Sequence, residues 1–103
     1  MDDKEFPKLK LLDLQDGDDW LISSKGWFEN NLVELENGNH YQVCFFDNVR
    51  LGQHLEDNRK NGQPFFIEKN LIVLSEVTIE NMQKAIIEAE KQGFFENLKP
   101  KNL

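Results

Sequence analysis

His40, Cys44, Asp47 and His54 are the residues whose types could support covalent chemistry, a thiol nucleophile with an imidazole base. Spacing argues against the nearer pair. On a regular strand His40 and Cys44 share a face four residues apart, roughly 13 Å along the chain. A nucleophile and its base must meet at about 3 Å. His54 can reach Cys44 only through tertiary folding. The expectation for Cys44 is therefore the common one for a free cysteine, a small buried hydrophobe.

Metal chemistry has no better footing. Asp13, Asp16, Asp18 and Asp19 gather oxygen donors of the kind calcium prefers. They do not alternate ahead of a glycine, however, and no glutamate closes a loop of calcium-binding length. The two histidines and one cysteine lack zinc spacing. The glycines are isolated rather than gathered into a phosphate loop, and no carboxylate pair sits where its pKa would be raised. No catalytic residue, metal or cofactor is expected, and the chain reads as a binding protein rather than an enzyme.

Surface recognition is the better prospect. Trp20, Trp27 and Phe28 bracket an acidic turn containing Asp16, Asp18 and Asp19 and a Ser-Ser-Lys-Gly loop. Aromatic anchors are enriched at interfaces, and acidic neighbours speed encounter with a basic partner. At least one of the tryptophans is expected in the core. Ile87 points away from the apolar stripe of its helix and is the remaining candidate contact.

The 103 residues suit one domain, and the formal charge of −7 disfavours nonspecific binding to nucleic acid or anionic lipid. No apolar run approaches a membrane span, and no signal peptide opens the chain. A lone cysteine makes no internal disulfide, which fits a reducing cytoplasm. Residues 1–8 read as a flexible arm, 9–95 as a single domain and 96–103 as a fraying tail.

The elements that must position these side chains are clearest in the second half. Leu71 to Leu74 is a continuous apolar run, expected as a central strand with both faces covered. Thr78 then caps a helix. Val77 and Met82 have the spacing of a hydrophobic staple, and Ile79, Met82, Ala85, Ile86 and Ala89 form the buried stripe. Glu80 and Lys84 stand at i,i+4, and Gly93 suits the C-terminal stop.

Upstream, Leu32 to Glu36 alternates, Asn37-Gly38 signals a type I′ hairpin, and His40 to Phe46 returns. Tyr41, Val43 and Phe45 share one face, and His40, Gln42, Cys44 and Phe46 the other. Asp47 caps a helix to about Lys60, with a thin stripe of Leu51 and Leu55, a Glu56–Lys60 pair and a stop at Gly62.

Phe65 to Ile67 is expected as another strand, as is Trp20 to Ile22. Trp27-Phe28 begins a further one that continues, after a break, into Leu32. Leu9 to Leu14 suggests an irregular strand or a helical turn. The fold class predicted is α+β: an antiparallel sheet of β-hairpins with two helices on one face, in a ββα-ββα pattern over residues 32–95, preceded by N-terminal strands.

Three roles follow. The first is a cytoplasmic adaptor, or an inhibitor such as a toxin-neutralising immunity protein, docking on a basic partner. The second is an enzyme or ligand-binding protein with a pocket assembled from distant residues. The third is a subunit that self-associates through a sheet edge or the Ile87 side of the last helix.

Overall fold

A computed structural model of the chain describes residues 6–12 and 18–102. The order is β1 (Lys8–Leu11), α1 (Asp18–Lys25), β2 (Trp27–Phe28), β3 (Asn31–Glu34), β4 (His40–Tyr41), β5 (Cys44–Asp47), α2 (Asn48–Lys60), β6 (Leu71–Leu74) and α3 (Ile79–Lys91), with a final 3₁₀ turn at Phe94–Asn97. The fold is α+β, as the hydrophobic patterning predicts.

The backbone of the fold is one long bent hairpin. β3 pairs antiparallel with β4 (Val33 opposite Tyr41), and β2 with β5 (Phe28 opposite Phe45). The turn sits at Asn37-Gly38 but is not the two-residue type I′ form. Leu35 N–H donates to Asn39 O at 3.0 Å and Gly38 N–H to Leu35 O at 2.9 Å, which leaves Glu36, Asn37 and Gly38 as a three-residue loop. Gly38 takes the left-handed position at φ 89°.

Where the hairpin bends, a side chain stands in for the ladder. Asn31, 1% exposed, donates from Nδ2 to Val43 O at 2.8 Å and accepts from Val43 N–H at 3.1 Å. It joins two three-stranded sheets, ordered β1-β3-β4 and β2-β5-β6.

Four expectations fail here. β6 runs parallel to β5, Cys44 opposite Leu71 through Asp47 opposite Leu74, so β5-α2-β6 is a crossover and not a hairpin unit. β6 is also an edge strand rather than a central one. Phe65 to Ile67 forms no strand, so the ββα-ββα repeat over 32–95 reduces to two strands, each leading into a capped helix. The fourth failure is Trp20 to Ile22, which lies in α1; only Ile22 of the three is buried.

Both caps are as the sequence predicts. Asp47 Oδ1 accepts from Arg50 N–H and Thr78 Oγ1 from Asn81 N–H at 3.0 Å. Val77 and Met82 are fully buried, and Glu80 pairs with Lys84 at 3.4 Å. On α2, Glu56 pairs with Arg59 rather than Lys60.

The two helices lie on opposite faces of β5, not on one. α3 sends Met82, Ile86 and Ala89 into a core with Val33, Val43 and Phe45. α2 buries no residue fully and covers the other face, where Cys44 and Phe46 point. Beyond α3, Phe95 is buried with its ring centroid 5.3 Å from that of Tyr41, and Lys101 N–H donates to His40 O at 2.7 Å.

Gly26 is needed twice over. At φ 77° it ends α1, and a β-carbon there would come 2.7 Å from Asp47 Oδ2, displacing the cap of α2. Among the described residues no helix is long and apolar enough to cross a membrane.

Candidate functional site

The hairpin contains a β-bulge. Between Phe28 and Asn31 lie Glu29 and Asn30, while between their partners Phe45 and Val43 lies Cys44 alone. A bulge bends its strand and leaves part of the ladder unpaired. Side chains then take over the pairing. Gln42 Nε2 donates to Glu29 O at 2.7 Å, and Asn30 Nδ2 to Leu12 O at 3.0 Å. Cys44 N–H turns to Asn70 O at 2.8 Å, and Asn70 Nδ2 donates to Gln42 O at 3.0 Å.

Next to the bulge a cleft of about 350 Å³ opens between the outer face of the hairpin and α2. Strand alternation delivers Gln42, Cys44 and Phe46 to it, and Trp27 joins from the paired strand. One helical turn apart on α2, Arg50 and His54 face the same way. The loop after α2 adds Phe66 and Glu68. That loop is held by Asn58, whose Nδ2 donates to Phe65 O at 3.0 Å. Phe66, His54 and Phe46 form an aromatic corner, with ring centroids 4.7 Å apart for His54–Phe66 and 5.6 Å for Phe46–Phe66.

Two carboxylates, Glu29 and Glu68, complete the lining. Burial pushes the Cys44 thiol up to about 11, and the charges of Glu29 and Glu68 add to the rise. At neutral pH it is a protonated thiol, not a thiolate nucleophile. Arg50 lends its guanidinium to Gln53 Oε1 at 3.3 Å.

Cys44 and His54 thus line one cleft, whereas His40 lies elsewhere. The His40 ring stands 3.4 Å from Lys10 Nζ and 4.0 Å from Glu34. The Lys10 ammonium, 3.1 Å from Glu34, holds that carboxyl below its usual range.

The residues marked in the sequence for partner contact fall in several places. Asp16 lies outside the described residues, and Asp18 and Asp19 open α1. Trp20 is 70% exposed on α1, and Trp27 is half-buried in the cleft wall, so neither tryptophan belongs to the buried core. Phe28 takes that place instead. Ile87 is exposed on α3 and lines a hollow with Gln83 and residues 6–10.

Glu29, Arg50, Phe66, Glu68 and Asn70 carry no sequence signal for this cleft beyond two hints. Arg50 and His54 are spaced i,i+4, and Gln42 shares strand parity with Cys44. Comparison of the chain with protein-family models, curated proteins and solved structures finds no match.

Proposed function

We propose that this chain is a cytoplasmic protein-binding domain, an adaptor or inhibitor, that receives a basic side chain of its partner in the bulge cleft. The observation that carries this reading is the pairing of an aromatic wall (Trp27, Phe46, Phe66) with carboxylates Glu29 and Glu68 in one open cleft, whose own cation, Arg50, is engaged by Gln53 Oε1 at 3.3 Å. A lysine or arginine matches both parts. Its apolar stem packs on the rings while its cation meets the carboxylates and a ring face.

The overall charge of −7 favours encounter with such a partner and disfavours nucleic acid. The protonated Cys44 thiol supports binding rather than nucleophilic catalysis. The cleft, rather than the acidic stretch from Asp16 to Asp19, is the docking surface, and of Trp20, Trp27 and Phe28 only Trp27 lines it.

A Trp20→Phe background leaves Trp27 as the single fluorescent indole. Titration with a capped arginine peptide should quench or shift that emission and weaken with added salt. The Glu29→Gln, Glu68→Gln double variant should bind about fivefold more weakly, the sum of two partly screened charge contacts. Equal binding of an acidic peptide, or full affinity in the double variant, would remove the basis of the proposal.

A further inference from the structure

The cleft does not end at Asn70. A second trough of about 340 Å³ adjoins it, and Gln42, Glu68 and Asn70 line both. The far side of this trough carries the opposite charge. Lys69 comes from the loop ahead of β6, and Lys99 and Lys101 from the chain after the 3₁₀ turn. Lys101 is held there by its backbone N–H on His40 O, at 2.7 Å. None of the three lysines forms an ion pair among the described residues. Glu29, the aromatic wall and Arg50 therefore lie at one end and three lysines at the other, with Glu68, Gln42 and Asn70 shared between the two hollows.

We infer that the partner segment docks extended along both hollows and carries a carboxylate side chain two residues from the cation. This rests on the cleft reading above and adds to it. Side chains two apart on an extended chain point the same way and stand roughly 7 Å apart, a reach suited to two adjoining hollows. A cation in the first hollow then places a carboxylate over the lysines of the second. An intervening backbone amide lies over Gln42 and Asn70, whose side-chain amides can both donate and accept. A segment with two cations at this spacing would set its second charge against Lys69, Lys99 and Lys101. The charge order thus selects among basic partners, which net charge alone does not.

The test uses the full chain with Trp20→Phe and capped pentapeptides, read by Trp27 emission and by amide chemical shifts. One set has Arg-Ala-Glu and Glu-Ala-Arg at its centre, and controls replace Glu by Gln or by Arg. In one of the two orders the Glu peptide should bind about threefold tighter than its Gln counterpart, the contribution of one exposed ion pair. The doubly basic peptide should bind more weakly than the Gln control. Shifts should spread from Trp27 to Lys99 and Lys101.

The advantage of Glu should vanish in a Lys69→Gln, Lys99→Gln, Lys101→Gln variant, which changes only exposed side chains. Equal affinity of the Glu and Gln peptides, with Trp27 still responding, would overturn the two-hollow inference and leave the cleft reading intact. So would a Glu advantage that survives loss of the lysines. No response of Trp27 to any arginine peptide would overturn both.

Discussion

Replacing Asn31 by alanine removes the two hydrogen bonds that bridge the sheets at the bend of the hairpin. Val43 is fully buried, so its N–H and C=O would lose their partners where no solvent can replace them. Each orphaned group costs about 1–3 kcal/mol, and water entering a relaxed bend recovers part of that, so the expected loss is about 2–4 kcal/mol. A chain of this length has roughly 5–15 kcal/mol in hand, so the variant should fold but with a much lower urea midpoint.

Far-UV circular dichroism in urea gives the number directly, and an unchanged slope with denaturant would show that both proteins unfold from comparable states. Asn31→Asp provides a second check. An ionised carboxylate can accept from Val43 N–H but cannot donate to Val43 O, whereas a protonated one can. The deficit of that variant against the parent should therefore shrink as pH falls. A loss below about 1 kcal/mol for Asn31→Ala, with unchanged slope, would refute the claim that this side chain replaces a rung of the ladder. Because Val43 lies between Gln42 and Cys44, the same variant should also weaken binding of the arginine peptide.

Three further outcomes are expected. Met82→Ala opens a void in the core beneath α3 and should cost about 2–5 kcal/mol, whereas Leu55→Ala on α2, a helix with no fully buried residue, should cost clearly less in the same urea titration. The Cys44 thiol should react slowly with a neutral alkylating reagent near pH 8 and speed up towards pH 11, since its folded value is raised to about 11. The sign for stability follows from the same rise. The unfolded thiol ionises near its ordinary value of 9.0 while the folded one keeps its proton, so stability is complete below pH 9 and falls as pH climbs to 11. Cys44→Ala should flatten that alkaline decline, as followed by chemical denaturation across the range.

What was legible in the sequence was local. Asp47 and Thr78 cap their helices because a side-chain oxygen three residues ahead of a free N–H needs nothing from the rest of the chain. The alternation around Asn37-Gly38 gave the hairpin and its two faces, and the inward set Tyr41, Val43 and Phe45 is buried. The apolar triplets misled for a related reason. Trp20-Leu21-Ile22 and Phe65-Phe66-Ile67 have strand composition, but three residues are too few to show a period. The first winds into α1 and buries Ile22. The second stays a loop in which Phe66 alone of the three is partly buried, against His54 and Phe46.

Short-range patterning was enough to place the Asn37-Gly38 hairpin, the starts of α2 and α3, and the fuller apolar stripe of α3 against the thin one of α2, but not α1. Those properties rest on contacts a few residues apart. Long-range packing set the rest: β6 returns parallel to β5, the helices take opposite faces, and Glu29, Cys44, His54, Phe66 and Glu68 line one cleft. The cleft depends on an extra residue in one strand and on a crossover that brings positions 66–70 back beside 42–46. Neither leaves a periodic mark, because pairing between distant strands is set by the burial of the whole core rather than by any one stretch of it.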